Sequence, residues 1–535
     1  MSQARGHFVL VTMFSMPWIS ACSGDTTADD ASGGTAALGG TTASVGGSVS
    51  SGRGGTGGKA SGTGGTSAGG TSPTGAAGGS AGTAVVEAGR GGIAGQAAGG
   101  SSGAGVGNAA GSAGSSGAAS GGATSAGAGG TGFGGGAAGG PPVAALDCGK
   151  DGWAVENHGP PQNRVNYLIL GDGYTAETVN TTLVTHVNAA LKRRFETESG
   201  QPYGRYRNFV NICVAKAVSP NDGIGNGPTA FDGGNGGDRL AKVNESKVTQ
   251  YIKDNIPATF EIDWKAVVLN QSEWENTGAV LMLWSGGNNE GPGAALHEGG
   301  HGFHQLADEY CATDTGSGCG NDTNGTGTKG SESSEVNSTG DPTTTGGKWD
   351  LWLGTTQKGL NVPDKGATGV QGTFQGSRYV DTGQYRPSSN SMMNSLFTEA
   401  VDTSFNSVSR EQIIFSIWRA VRPIDSTEPA AGTTAAPTAV SNPGTLKVNV
   451  IDPAVISVDW TVDGTKHENA GTTFDTSVLA SGMHTVVAKA YDNASTDLVK
   501  LRTSTCPSSI KDKFYCHATS WKNSEQEVAW TVTSP

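Results

Sequence analysis

The chain lacks long apolar stretches, basic runs and closely spaced cysteine pairs, and each absence excludes a class of protein. Apart from residues 8–19, which are too few, no apolar run approaches the 18 or more residues that span a bilayer. The formal net charge of −13, without a long basic run, argues against nucleic acid as a partner. No Cys-x-x-Cys occurs, so we do not expect a zinc site built from thiolates.

Residues 23–145 also lack the side chains that build a core. Gly, Ala, Ser and Thr dominate, charged residues are few, and Phe133 is the single aromatic. Such a segment cannot bury enough apolar surface to offset the entropy of ordering its backbone. We therefore expect a long disordered linker. Its glycines show no Gly-X-Y repeat and no strand–loop–helix context, which excludes collagen and a phosphate-binding loop.

Residues 1–22 have the layout of a lipoprotein-type signal peptide. Arg5 precedes the apolar run, and small residues then lead to Cys22. We expect cleavage before Cys22 and lipidation of that residue, so this anchor would be the only attachment to a membrane. The alternative is ordinary cleavage and release. The sequence therefore predicts export, either as an outer-membrane or cell-surface lipoprotein or as a secreted protein.

The remaining cysteines agree with export. Without Cys22 their number is six, an even number that suits disulfides in an oxidising compartment. Six cysteines allow fifteen pairings, and proximity along the chain favours one of them. The predicted disulfides are Cys148–Cys213, Cys311–Cys319 and Cys506–Cys516.

The most informative motif is His-Glu-Gly-Gly-His at residues 297–301. Because four residues make about one helical turn, His297 and His301 lie on one helix face and can bind the same Zn²⁺. Glu298 lies beside them, where it can take a proton from a zinc-bound water. The alternative is a helix with two ordinary histidines and a solvated glutamate. Only nine histidines occur in the chain, and three of them fall within residues 297–304.

The surroundings of the motif predict a buried helix. Pro292 suits the first turn of a helix. Gly299 and Gly300 each cost about 1 kcal/mol of helix stability relative to alanine. We therefore expect another element, or the substrate, to pack closely against the helix at these two glycines.

The third metal ligand distinguishes the classes of zinc peptidase. A metzincin has its third histidine six residues after the second, where this chain has Ala307. A carboxylate from Asp308 or Glu309 would complete three ligands and leave a fourth position for water. His304 could approach the metal only if the helix continued unbroken, so substrate contact or packing is the favoured role.

These residues resemble the M64 family of bacterial zinc metallopeptidases, the IgA-peptidase family, whose motif is HExGHxxxxLADEY. The resemblance covers about residues 160–422 and departs from the family at His304. It implies one catalytic Zn²⁺ held by His297, His301 and Asp308, with Glu309 in a supporting place. The matching positions are His297, Glu298, Gly300, His301 and residues 306–310, and similar segments are 166–174, 203–208, 348–349, 386–393 and 405–411.

The same alignment gives a role to two adjacent methionines. Met393 is expected to form a Met-turn, in which a thioether packs beneath the zinc ligands without competing for the metal. The alternative is that Met392 and Met393 are ordinary core residues. Tyr385 and Arg386 come shortly before them and are candidates for oxyanion stabilisation or substrate contact. Structural hydrogen bonding is the alternative role for both.

The distribution of apolar residues predicts two folded domains. Residues 146–425 are expected to form an α/β (α+β) zincin-like peptidase domain with a mixed sheet and an active-site helix. Within it, residues 175–195 have helical periodicity, and Ser409 with Gln412 predicts a capping box that opens a later helix. The predicted strands are residues 165–170, 209–218, 266–270 and 281–284.

The C-terminal part has a different pattern. Residues 426–444 return to Thr, Ala and Pro and are predicted to be a linker. Residues 445–535 alternate apolar and polar side chains, with a strong hairpin signal at Asp463-Gly464. This pattern predicts a small all-β, Ig-like sandwich.

The sequence thus predicts an extracytoplasmic zinc endopeptidase that acts on a protein or peptide substrate, with Glu298 as general base. The alternative is a surface adhesion or binding protein whose zinc site is structural or vestigial. A structural zinc ion is normally closed by four protein ligands, so a fourth ligand would favour this alternative. Nothing in the sequence selects immunoglobulin, or any other protein, as the substrate.

Overall fold

The structure is a computed structural model, and its description covers only part of the chain. The predicted signal peptide with Cys22, nearly all of the predicted linker 23–145, and Cys319, Cys506 and Cys516 lie outside the described residues. Among the described residues no helix is long and apolar enough to cross a membrane. The described residues are 144–237, 239–311, 327–343, 348–357, 369–394, 403–467, 471–500 and 521–535.

The N-terminal part combines four helices with three small sheets in the described residues. The helices are α1 (Thr182–Glu196), α2 (Glu245–Asn255), α3 (Gly291–Gly302) and α4 (Ser407–Ala420). The strands are β1 (Gly152–Glu156), β2 (Val165–Asp172), β3 (Val210–Ala215), β4 (Gly234–Gly237), β5 (Leu240–Lys242), β6 (Trp264–Leu269), β7 (Met282–Ser285), β8 (Phe374–Ser377) and β9 (Val380–Arg386).

The main sheet has the strand order β1-β3-β2-β6-β7. Its neighbours pair in parallel except for β1, which is antiparallel to β3, so the sheet is mixed as predicted. Strand β2 is buried along its whole length, as expected for a parallel strand covered on both faces. Its alternate side chains enter two cores: Tyr167 and Ile169 pack with α1 and α3, and Leu168 and Leu170 pack on the α2 side.

Two helix predictions need correction at their starts. Helix α1 begins at Thr182 rather than 175, because residues before it form turns in which Thr178 Oγ1 accepts from Thr175 N at 2.9 Å. Helix α4 begins at Ser407, and its N-cap is Asn406, whose side chain accepts from Ser409 N at 3.0 Å. The predicted capping box is therefore wrong. An asparagine three residues before Ser409 accepts from one of the free N–H groups of the first turn instead.

The C-terminal part is rich in strands, which form two sheets with the orders β10-β12-β15 and β11-β17-β16-β13-β14. Trp460 of one sheet stacks on Phe474 of the other, with ring centroids 5.4 Å apart. The predicted hairpin at Asp463-Gly464 joins β13 and β14. The strands are β10 (Ile424–Glu428), β11 (Thr438–Ser441), β12 (Thr445–Val450), β13 (Ile456–Val462), β14 (Thr465–His467), β15 (Thr473–Asp475), β16 (Gly482–Asp492) and β17 (Glu525–Ser534).

Residues 426–444 are not the linker that their composition predicted. They contain most of β10 and all of β11, which pair with β12 and β17. Both are edge strands with many half-buried or exposed residues, so they need few apolar side chains. Thr, Ala and Ser meet that need, which is why composition alone indicated a linker.

The C-terminal sheets contact the N-terminal part through a buried carboxylate. Asp492, at the end of β16, accepts from Tyr206 Oη at 2.6 Å and from Trp418 Nε1 of α4 at 3.0 Å. Its other oxygen accepts from Arg205 Nη2 at 3.0 Å. The two parts are therefore joined by hydrogen bonds to a buried carboxylate.

Candidate functional site

Helix α3 follows β7 after a short turn and carries the His-Glu-Gly-Gly-His motif. Pro292 lies in its first turn, as predicted. The helix ends at Gly302, and Gln305 adopts a φ of 57°, which reverses the chain. His297, Glu298 and His301 come together on this helix with ligand atoms all within 4.8 Å of one another.

Two backbone carbonyls orient the imidazoles. His297 Nδ1 donates to Met392 O at 2.9 Å, and His301 Nδ1 donates to Leu306 O at 2.7 Å. A carbonyl only accepts, so each Nδ1 carries its proton and each Nε2 is the atom left for a metal. The two Nε2 atoms are 3.3 Å apart. This arrangement, in which an outer carbonyl fixes each ring, is typical of metal-binding histidines.

Asp308 completes the cluster. Its Oδ1 lies 3.0 Å from His297 Nε2 and 3.2 Å from His301 Nε2. Tyr379 Oη donates to the other oxygen, Oδ2, at 2.6 Å. Within the described residues Asp308 Oδ1 is buried and receives no hydrogen bond of good geometry. A buried carboxylate oxygen that faces two nitrogen lone pairs needs a positive charge among them, so the donor set fits a metal ion.

The charges of the cluster shift the pKa of each member. Burial alone would lower the pKa of His301, but Asp308 and Glu298 raise it to about 9. Burial would raise the pKa of Asp308, yet the two histidines hold it far below its usual value. Burial raises the pKa of Glu298. The pocket therefore stabilises positive charge where the three ligand atoms meet.

Glu309 faces away from the cluster although it follows Asp308 directly. Its carboxylate is fully buried and accepts from Ser391 Oγ at 2.6 Å, Asn337 Nδ2 at 2.8 Å and Asn406 Nδ2 at 2.9 Å. These donors come from three separate segments. Glu309 thus ties the segment after α3 to the start of α4 and to the turn before Met393.

The two helix glycines allow close packing, which confirms the prediction. A Cβ on Gly299 would lie 2.7 Å from Trp264 Cζ2, and one on Gly300 would lie 2.6 Å from Met393 Sδ. Met393 is fully buried, and its Sδ packs against Gly300 of α3. The Met-turn itself stays a prediction.

Tyr385 and Arg386 donate to backbone carbonyls. Tyr385 Oη donates to Thr328 O at 2.9 Å. Arg386 donates to the backbone carbonyls of Ser389 and Gly376, at 3.0 Å and 2.9 Å. These bonds agree with the alternative of structural hydrogen bonding, and contact with an oxyanion or a substrate stays a prediction.

His304 is a core residue. It is fully buried, and its Nε2 pairs with Tyr203 Oη at 2.7 Å. Trp264 and Phe303 contact its ring from the edge. Because α3 ends at Gly302, His304 does not continue the face that carries His297 and His301. Packing, rather than metal binding, accounts for it.

The cysteines that can be described are oxidised. Cys148 and Cys213 form a disulfide with a Cα–Cα distance of 5.4 Å. It links the start of the N-terminal part to β3, as the sequence predicted. Cys311 is also disulfide-bonded, whereas its predicted partner Cys319 lies outside the described residues.

Two residues of the site were not found from the sequence. Gly278 packs against His301 and Glu298, and a Cβ there would lie 2.6 Å from Glu298 Oε2. Tyr379 reaches Asp308 from a hairpin 71 residues further along the chain. Neither has a local sequence signal. Gly278 is one of 88 glycines, and the Arg378-Tyr379 turn lacks the Asn-Gly signature of tight hairpins.

Comparison with known families gives one match for this region. A family model described as IgA Peptidase M64 matches residues 154–365, which include nearly all of the main sheet, α3 and the cluster of His297, His301 and Asp308. A comparison with curated proteins finds no match. The family match supports the assignment of this region to the M64 peptidases and suggests that the protein is a metallopeptidase that acts on proteins or peptides.

Proposed function

We propose that the protein is a zinc-dependent endopeptidase. The observation that carries the proposal is the convergence of His297 Nε2, His301 Nε2 and Asp308 Oδ1, which are 3.0 to 3.3 Å apart. Ligand atoms 2.0–2.1 Å from a tetrahedral Zn²⁺ are separated by about 3.3 Å. The three atoms are thus spaced as the ligands of one zinc ion.

Asp308 is the better third ligand on geometric grounds. Glu309 uses its carboxylate on Ser391, Asn337 and Asn406 and has no oxygen directed to the histidines. Glu298 lies within 4.8 Å of the histidine ligand atoms, close enough to contact a water molecule bound at the centre. Two histidines and one carboxylate leave the fourth position open, as in catalytic rather than structural zinc sites.

Glu298 is proposed as the general base. A bound Zn²⁺ would lower the pKa of the attacking water and polarise the scissile carbonyl. The Glu298 carboxylate takes the proton from that water and later delivers it to the nitrogen of the leaving amine. Burial raises the pKa of Glu298, which suits a group that must both accept and return a proton near neutral pH. The Nδ1 bonds to Met392 O and Leu306 O keep both imidazoles in position throughout.

The remaining predictions about context belong to the same proposal. We propose a zincin-like peptidase domain in which Met393 forms the Met-turn, and an Ig-like arrangement of the C-terminal sheets. The Cys148–Cys213 disulfide supports export to an oxidising compartment. A lipid anchor at Cys22, or secretion after cleavage near it, remains the proposed route, with no nucleic acid as partner.

Zinc content and peptide cleavage test this function together. The full chain and its Glu298→Gln variant are incubated with a mixed peptide library, and zinc is measured on the same samples. The matched control is Glu290→Gln, at the start of the same helix, where the side chain makes no cap hydrogen bond. We expect one zinc per chain in all three proteins, and loss of cleavage only in Glu298→Gln.

The other outcomes are equally clear. Retained cleavage in Glu298→Gln would contradict the general-base assignment. Zinc without cleavage in the unmodified protein would favour the alternative of a surface binding protein with a structural or vestigial site. A protein that binds no zinc would contradict the proposal as a whole.

A further inference from the structure

The hairpin of β8 and β9 ends in an unusual turn beside the cluster. Its two central residues, Arg378 and Tyr379, have φ values of 54° and 65°. A two-residue turn of this kind normally uses Asn-Gly, because other residues pay about 1 kcal/mol or more each for the left-handed conformation. Such backbone outliers persist only where surrounding contacts hold them, and they concentrate at functional sites.

The contacts that hold the turn come from the metal-binding segment. Arg378 N donates to Asp308 O at 2.9 Å, and Ser377 Oγ donates to the same carbonyl at 3.0 Å. Tyr379 N donates to Tyr310 O at 3.0 Å. The tip of the hairpin is therefore fixed to the backbone on both sides of the Asp308 side chain.

This docking presents the Tyr379 phenol to one oxygen of Asp308. Tyr379 Oη lies 2.6 Å from Asp308 Oδ2, while Oδ1 faces the two Nε2 atoms. The Tyr379 residue is 54% exposed, so packing alone does not immobilise it. Tyr310 Oη, 3.0 Å from Tyr379 Oη, is the other hydrogen-bond partner of the phenol. The two oxygens of Asp308 thus have separate partners.

We propose that Tyr379 is a positioning residue that makes Asp308 a one-oxygen ligand. The proposal rests on the proposed function, since it assumes that the cluster binds zinc. By occupying Oδ2, the phenol prevents Asp308 from binding the ion through both oxygens. A two-oxygen carboxylate would fill the position that the attacking water needs. The strained turn is then the structural cost of bringing a phenol to this oxygen.

The test compares the full-length protein with Tyr379→Phe, which removes only the phenolic oxygen. We expect zinc affinity, measured by competition with a chelator, to fall by about 10- to 100-fold, as for other residues that orient metal ligands. In the cobalt-loaded protein the visible absorption should weaken, because a second bound oxygen raises the coordination number. In the zinc-loaded variant, kcat should fall more than KM rises.

Two controls separate this role from a structural one. Tyr491→Phe removes a tyrosine oxygen from β16 in the C-terminal sheets and should leave zinc affinity and the cobalt spectrum unchanged. The metal-free Tyr379→Phe protein should melt within a few degrees of the unmodified protein, because the two hydrogen bonds that are lost, to Asp308 and Tyr310, contribute about 1 kcal/mol each.

Each contrary result has a distinct meaning. Unchanged zinc affinity and an unchanged cobalt spectrum in Tyr379→Phe would overturn the positioning role but leave the zinc peptidase intact. Weaker binding with an unchanged spectrum would overturn the one-oxygen assignment. Failure of the unmodified protein to bind zinc would overturn this proposal together with the proposed function.

Discussion

Two buried aspartates, Asp308 beside α3 and Asp492 between the two parts of the molecule, show how different a carboxylate can be in one protein. Both are at most 9% exposed. Asp492 receives hydrogen bonds on both oxygens, from Tyr206, Trp418 and Arg205. Among the described residues Asp308 receives a donor on Oδ2 only, and its Oδ1 faces two imidazole nitrogens without one.

The two carboxylates therefore have different roles: Asp492 stabilises the fold, and Asp308 can bind a cation. A buried carboxylate with all its partners supplied by protein stabilises the fold and has no capacity left for a ligand. Burying a carboxylate oxygen without a hydrogen-bond donor costs free energy. The fold does not compensate this cost by itself, whereas a bound cation would. Replacing each aspartate should therefore damage a different property.

The largest effect is expected at Asp308. Asp308→Asn keeps the size of the side chain but removes the negative charge that faces His297 and His301. Removing residues that only orient a ligand costs about 10- to 100-fold in metal affinity, so losing this ligand should cost at least about 100-fold. Peptide cleavage should be lost with the metal. Chelator competition and zinc analysis on the purified variant measure the effect, and undiminished zinc binding would remove Asp308 from the site.

The next effect is expected on stability at Asp492. Asp492→Ala removes the acceptor of the buried donors of Tyr206 and Trp418, and leaves Arg205 Nη2 with Asn493 Oδ1 as its acceptor. Breaking such a buried pair typically costs about 3–5 kcal/mol. The free energy of unfolding, measured by urea titration of the metal-free protein, should fall by roughly this amount, with zinc affinity of the folded protein unchanged.

The control for Asp492 is a carboxylate on the surface of the same sheet. Glu525 pairs with Lys489 at 2.8 Å, and both side chains are more than a third exposed. Glu525→Ala should change the free energy of unfolding by less than about 1 kcal/mol. Equal effects of the two substitutions on the free energy of unfolding would show that Asp492 does not stabilise the fold as its hydrogen bonds indicate.

The contrast also explains what the sequence revealed. The cluster on α3 was predictable because the spacing of His297 and His301 is local and follows from helix geometry. The spacing alone left the choice between Asp308 and Glu309 open, and the family resemblance favoured Asp308. The contact that occupies Glu309 is long-range, because Ser391 donates to it from 82 residues away. Tyr379 and Gly278 were missed for the same reason: their roles come from long-range contacts rather than from a pattern in the chain.

In the C-terminal part, by contrast, local signals predicted most strands, but the prediction of a linker was wrong. Its alternating strands and the Asp463-Gly464 hairpin were predicted from local signals. The composition of residues 426–444 predicts a linker, because edge strands such as β11 contain small, polar residues. The role of Asp492 could not be predicted, since an aspartate at the end of a strand is ordinarily exposed. Its contacts with Tyr206 and Trp418 are what allow it to join the two parts of the molecule.

A smaller effect is expected at Gly278. In Gly278→Ala the added methyl group would lie 2.6 Å from Glu298 Oε2 and closer still to the ring of His301, so the carboxylate, the imidazole or the neighbouring chain must shift. Misplacing a reacting group by about 1 Å can cost on the order of 100-fold in rate, so we expect kcat to fall by roughly 10- to 100-fold. Zinc affinity should fall as well, because the methyl group also displaces the ring of His301, whereas Asp308 and His297 keep their places. Unchanged kcat would show that Glu298 is not held where the proposed mechanism needs it.

The smallest effect is expected when His304 is replaced. Its buried ring pairs with Tyr203 and is influenced by Arg194 and Arg419. Burial, reinforced by Arg194 and Arg419, holds its pKa well below the usual value, so the folded protein keeps this ring neutral. The unfolded chain takes up the proton near pH 6.5. Because the folded pKa is depressed, the stability contribution is complete above about pH 6.5 and is lost as the pH falls below it.

His304→Gln should therefore matter most in acid. The unmodified protein should lose about 1.4 kcal/mol of unfolding free energy per pH unit below pH 6.5 through this residue, in addition to other groups. The variant should show a shallower decline over pH 6.5 to 5, measured by urea titration of metal-free protein at each pH. Parallel curves for the two proteins would mean that His304 is protonated in the folded state. The aromatic contacts with Trp264 and Phe303 would then surround a cation rather than a neutral ring.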